Sequence, residues 1–212
     1  LQGYLETLDE KDESLSGEER KKYLRVMLKD TYALKNLIDD LFQYSKLESG
    51  NVEPEIEPYS QSELAQDVLL KMKPEADKKH IDLEMKQLGD LFLVQADIGM
   101  IERVLTNLIE NGIKNTPPGG SVGIEIERID GKVNTRVVDT GYGIAAEDLT
   151  LIFDMFYTGD SSRDRSRQGS GLGLGICKKN LELYGEAILV ASVPGKGTTF
   201  SFALPADNRG TA

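Results

Sequence analysis

Asn107-Leu-Ile-Glu-Asn-Gly-Ile-Lys114-Asn-Thr-Pro117 is the stretch that decides how this chain folds. Asn107, Asn111 and Lys114 stand four and three residues apart, so in a helix their side chains rise one above another along a single face. Ile101, Val104, Leu105, Leu108 and Ile109 supply a broad apolar side, which predicts a helix lying on a sheet with its polar line turned toward a cleft. Two amides and a lysine suit a metal-bound polyphosphate: amide oxygens are hard ligands for Mg²⁺, and an ammonium neutralises phosphate oxygens. Alone, the same residues describe an ordinary solvated helix face, and their meaning depends on what surrounds them.

The rest of the composition narrows the classes. The chain has 212 residues, enough for one domain and a smaller element, and 39% hydrophobic with 29% charged residues is globular. A formal net charge of -11 argues against nucleic acid as a partner. Cys177 is the one cysteine, so no intramolecular disulfide forms, and the reading is a cytoplasmic domain. No apolar run approaches the roughly 18 residues that span a bilayer. Because the chain begins at Leu1 with a helical pattern already under way, it is expected to be part of a longer protein, with any membrane anchor in missing N-terminal segments.

Working outward toward the N-terminus, Leu1, Tyr4, Leu5 and Leu8 repeat at helical spacing, and Ser16 with Glu19 forms a capping box for a second helix. Leu24, Met27, Thr31, Leu34, Ile38, Leu41 and Ser45 alternate steps of three and four, predicting a helix of about 45 Å that stops at Gly50. So long an apolar stripe predicts a helical hairpin that pairs with a second copy as a dimeric four-helix bundle. Residues 50–58, with Pro54 and Pro58, read as a linker between that hairpin (1–49) and a second domain (59–207), with a tail at 208–212. In the second domain Ser60 and Glu63 cap a helix running toward Ala76 with a kink at Pro74. Strands are expected at Ile81 to Met85, Leu91 to Val94, around Val122 to Ile126 and Val133 to Val137 about the Asp130-Gly131 turn, and in a closing hairpin about Pro194-Gly-Lys-Gly197. Helices are expected at Glu147 to Phe153 and Leu172 to Tyr184. The fold class is α/β, a mixed sheet with helices on one face.

Three further stretches carry chemistry. Asp139-Thr-Gly-Tyr-Gly143 follows a strand; its glycines let the backbone approach a flat ligand, and its carboxylate can accept from an exocyclic amine. Gly169-Ser-Gly-Leu-Gly-Leu-Gly175 runs into a helix whose first amides could cradle phosphate. Thr158 to Gln168 has no apolar residue and carries Arg163, Arg165 and Arg167, a loop able to close over phosphates.

Together these stretches resemble the sensor histidine kinases. Asn107-xxx-Asn111-xx-Lys114 is similar to their N box, Asp139-x-Gly-x-Gly143 to the G1 box, Phe153-Asp-Met-Phe156 to the F box and Gly169-x-Gly-Leu-Gly-Leu174 to the G2 box, in the same order and spacing. Gly197-Thr-Thr-Phe200 resembles the last motif, and the first fifty residues resemble the segment after the H box together with the dimerisation helix. The resemblance implies a Bergerat nucleotide-binding sandwich and a kinase that binds ATP with Mg²⁺, phosphorylates a histidine and passes the phosphate to an aspartate of a response regulator. It implies Asn111 at the metal, Asn107 and Lys114 at the phosphates, and Asp139 on the adenine amine. Gly141 and Gly143, with Ile144 beside them, would form the base floor. Gly169, Gly171, Leu172 and Gly173 would lie at the phosphates under the lid, Thr199 behind the base, and Phe153 and Phe156 would anchor the lid by burial.

This sequence departs from the family pattern in places. Asn115 stands where a Tyr commonly follows the N-box lysine, which leaves any ring contact open, and Tyr184-Gly-Glu186 replaces His-Gly-Gly. The acceptor histidine has no counterpart: His80, the only histidine, sits far from any H-box pattern, so the chain alone is expected not to label itself. The alternative is a hydrolytic Bergerat ATPase of the gyrase, Hsp90 or MutL type. Asn107 opposes it, because an amide takes no proton from water where those enzymes place a Glu, and Glu110 lies about 60° to 80° off that direction on the helix.

Overall fold

A computed structural model describes residues 3–6, 15–50, 52–88, 93–158 and 170–207. The chain divides into two compact units, Leu1–Gln43 and Tyr44–Ala212. In the first, residues 3–6 are helical, and Tyr4 lies with its ring centroid 5.6 Å from that of Tyr23. Helix α1 (Gly17–Glu48) starts as its capping box predicts: Glu19 N–H donates to Ser16 Oγ at 3.3 Å, and Ser16 N–H donates back to Glu19 Oε2 at 2.9 Å. It stops at Gly50, whose φ of 69° needs a residue without Cβ. Leu24, Leu28, Leu34, Ile38, Leu41 and Phe42 are exposed along it. The division between compact units falls inside α1, because Tyr44, Leu47 and Val52 pack with Leu172, Ile176 and Leu183 of the second unit.

The second unit is built on a five-stranded mixed sheet in the order β2-β4-β5-β7-β6. Its strands are β2 (Asp82–Leu88), β4 (Ser121–Ile129), β5 (Lys132–Asp139), β6 (Leu189–Val193) and β7 (Gly197–Pro205); β2 and β4 run parallel and the other neighbours antiparallel. A separate pair, β1 (Glu57–Ser60) and β3 (Leu93–Ala96), is antiparallel. Strand alternation decides which side the helices cover. Val133, Thr135, Val137 and Asp139 of β5 are buried, while Arg136 between them ion-pairs with Glu125 at 3.0 Å and Glu127 at 3.3 Å on the opposite, polar face.

Helices α2 (Gln61–Lys78), α3 (Ile98–Asn115) and α4 (Gly173–Glu182) supply the other half of the core. Ser60 accepts from Glu63 N–H, as its capping pattern predicts, and Asp97 accepts from Met100 N–H at the start of α3. α2 continues through Pro74 and ends where His80 turns left-handed, at φ 56°. The helix expected at Glu147 to Phe153 is instead a run of turns. Asp148, Leu151 and Asp154 N–H bond three residues back and only Ile152 bonds four back, so no ladder propagates. Tertiary ties fix this segment: Tyr157 Oη donates to Asp148 Oδ1 at 2.6 Å, and Phe156 sits at φ 61°.

Candidate nucleotide site

Helix α3 carries the polar line. Ile101, Val104, Leu105, Ile109 and Ile113 are fully buried, and Gly112 brings the helix against β4, since a Cβ there would lie 3.0 Å from Val122 Cγ1. That anchoring leaves Asn107, Asn111 and Lys114 half-buried on the other side. Asn107 Nδ2 donates to Gly173 O at 3.2 Å, joining the line to the start of α4. Asn111 Oδ1 accepts from Asn115 Nδ2 at 2.9 Å. Burial pushes the Lys114 ammonium pKa down, Lys79 nearby pushes it further down, and Glu110 pulls it back. Lys79 Nζ donates to Ile113 O at 3.2 Å and Lys114 O at 3.4 Å, capping the last carbonyls of α3 with a cation.

Asp139 ends β5 as a buried carboxyl. Its Oδ1 accepts from Gly141 N–H at 2.8 Å and Thr198 N–H at 3.1 Å, and among the described residues no donor meets Oδ2. Burial raises its pKa, and the two amide bonds oppose that rise. Gly141 packs against the Asn115 carbonyl, where a Cβ would collide, and Gly143 at φ 70° packs equally closely on the Val193 carbonyl. Ile144 N–H donates to Ser192 Oγ at 2.8 Å, and its side chain packs against the core. Ser192 Oγ also lies 3.0 Å from Thr198 Oγ1.

Thr198, and not Thr199, belongs to this group. Thr198 is the cross-strand partner of Asp139 and shares its buried face, whereas Thr199 pairs with Val138 and faces the polar side. Alternation counted back from buried Phe200 would have distinguished the two threonines in the sequence.

At the entrance to α4, Gly171 (φ 68°) lies against Phe156, and its carbonyl accepts from Phe156 N–H at 3.0 Å. Leu172 is fully buried beside Leu47 and Ile176, and its N–H donates to Ser170 Oγ at 3.2 Å; its side chain therefore belongs to the core. Among the described residues no side chain caps α4, which leaves its first amides able to receive an anion. Phe153 meets Phe200 edge to face, with ring centroids 6.4 Å apart. Phe156 is exposed and holds by its backbone instead of by burial. Gly169 and the arginines Arg163, Arg165 and Arg167 lie outside the described residues. His80 is exposed between α2 and β2.

The donor set fits a hard cation carried by a phosphate ligand. Among the described residues no cluster of His, Cys, Asp or Glu could hold a metal ion, whereas Asn111 offers an amide oxygen one turn along α3 from Asn107, which bonds the start of α4.

Residues 96–208 match the histidine kinase-, DNA gyrase B- and HSP90-like ATPase family, and residues 1–50 match the His kinase A phospho-acceptor domain. The chain belongs to the sensor histidine kinases. It is 33% identical over 207 residues to the sensor protein SrrB of Staphylococcus aureus, covering 97% of this kinase chain and 35% of the relative. The chain thus spans about a third of the curated relatives it matches. In structure it is similar to full-length ShkA in complex with AMPPNP (TM-score 0.79, 28% identity, 92% of this chain and 40% of that one). It is also similar to histidine kinase ThkA in complex with response regulator protein TrrA (TM-score 0.77, 25% identity, 99% and 57%). Although the phospho-acceptor match covers residues 1–50, this chain has no histidine there. Among the described residues no helix is long and apolar enough to cross a membrane.

Proposed function

We propose that this chain binds ATP with Mg²⁺ and delivers the γ-phosphate to a histidine, for relay to a response regulator aspartate. Asp139 Oδ2 takes the exocyclic amine of adenine, Gly141 and Gly143 floor the base, and Thr198 closes it from β7. Asn111 would hold Mg²⁺, which would neutralise phosphate charge, while Asn107 and Lys114 face the phosphates and the first amides of α4 receive them. The observation that carries this reading is the pair of contacts made by α3: Asn107 to Gly173 at 3.2 Å, and the Asn115 carbonyl against Gly141 and Tyr142 N–H at 3.1 Å. They bring the amide-lysine line, the carboxylate floor and the glycine-led helix together. An AMPPNP complex and a response-regulator complex among the structural relatives support the ligand and the partner.

Asn107 sets the direction of transfer. A carboxamide accepts no proton at neutral pH, so water is left without a base at that position. The acceptor is a histidine outside these 212 residues, and the chain by itself does not label from ATP. The apolar stripe of α1 is the surface on which two copies pair. Titration calorimetry tests the nucleotide site: ATP binds, Mg²⁺ strengthens binding, and Asn111→Ala removes that gain. Absence of ATP binding by the folded chain contradicts the reading.

A further inference from the structure

Asn115 occupies the place where this chain departs from the histidine kinase pattern, and it is tied to both halves of the site. Its Nδ2 donates to Asn111 O and to Asn111 Oδ1, each at 2.9 Å. Its carbonyl accepts from Tyr142 N–H at 3.1 Å and fills the space beside Gly141. A backbone carbonyl only accepts, so the Asn115 atom between the two oxygens is the amide nitrogen. Its second hydrogen then selects the oxygen of the Asn111 amide, not its nitrogen, as the atom on that side.

We infer that Asn115 is a positioning residue for the metal ligand. It fixes the Asn111 carboxamide so that one lone pair of Oδ1 is used by Asn115 and the other is left for a cation, and it links that ligand rigidly to the floor under the base. A carbonyl oxygen has two lone pairs, so both bonds coexist. Without Asn115 the Asn111 side chain regains its rotamers and can present its NH₂ edge, which repels Mg²⁺. The inference rests on the reading of the site as one for Mg-ATP.

Calorimetric titration of the whole chain with ATP, in excess chelator and in saturating Mg²⁺, separates the two claims. The quantity read is the metal enhancement, the ratio of the two dissociation constants. Asn115→Ala and the nearly isosteric Asn115→Leu keep the backbone carbonyl and lose the donor; both are expected to lower the enhancement about two- to tenfold, the range of one net hydrogen bond, and by more than they change metal-free affinity. An enhancement that is unchanged or larger in the variants overturns the inference, because the bond is then idle or restrains Asn111 from the metal. A fall in metal-free affinity alone overturns it too, since Asn115 is then only a strut for the base floor. A wild-type chain with ATP affinity but no enhancement removes Asn111 from the metal and the inference with it; no ATP affinity at all is failure of the nucleotide reading itself.

Discussion

Asp139 shows how a single residue trades stability for binding. A carboxyl whose folded pKa lies above its unfolded value contributes stability at pH below the unfolded value and loses it as pH rises through the folded one. Burial places Asp139 in that class, with the window lying above 3.8. Asp139→Asn retains an oxygen for the Gly141 and Thr198 amides and removes the buried charge. Its thermal midpoint at neutral pH is therefore expected to equal or exceed that of the wild type, the advantage fading in acid, as melts across pH would show. The same substitution weakens ATP binding by about 1.5 to 3 kcal/mol, the scale of a hydrogen bond to a charged group. In the wild type, ATP affinity falls as pH drops through that window and the carboxylate takes up a proton; in Asp139→Asn this step is absent from the calorimetric profile. The place of Asp139 was legible because the alternation through Val133, Thr135 and Val137 ends on it just before the turn. Thr198 was not separated from Thr199, because the two are chemically identical and only their alternation along β7 distinguishes them. The role of Asn115 was invisible because its bond to Asn111 is a matter of side-chain rotamer, which spacing does not specify.

Elements set by local chemistry were the easiest to read. The Ser16, Ser60 and Asp97 caps each satisfy an amide a few residues away, so a short stretch of sequence contains the whole interaction. The segment from Glu147 to Phe153 failed as a predicted helix because long-range partners shape it and its continuation, Phe200 for Phe153 and Gly171 for Phe156. The cover of Leu47 was not legible for the same reason: it comes from Leu172 and Ile176, far along the chain. At the junction of α3 and the β5 loop, Gly141 has no room for a methyl group, with Asp139 Oδ1 2.7 Å from where it would stand and the Asn115 carbonyl closer still. Gly141→Ala must move backbone, and we expect a loss of more than about 1 kcal/mol of stability in denaturant titration together with weakened ATP binding. A Gly131→Ala control relaxes nothing of the kind around the site: its neighbourhood is open, and only the strain of φ 77° is felt. If Gly141→Ala bound ATP as the wild type does, the close floor would have no part in the site.

For the whole molecule, the exposed stripe of α1 predicts self-association. Replacing Leu34 and Ile38 together by Asp is expected to give a monomer in light scattering while leaving ATP affinity intact, because the nucleotide residues all lie in the second unit. A wild-type chain that is already monomeric at high concentration would contradict the pairing. The central claim concerns where the phosphate goes. On the proposed reading Asn111, Lys114 and Asp139 assemble a site for Mg-ATP and Asn107 withholds a base from water; His80 stands exposed between α2 and β2. The direct measurement is to incubate the chain with γ-labelled ATP and Mg²⁺, alone and together with a helix of its parent protein that bears the acceptor histidine, and to follow label in protein and in free phosphate. The account predicts acid-labile label on the added histidine, none on this chain, and little free phosphate in either mixture. Label on His80, or rapid release of phosphate to water by the chain alone, would contradict it.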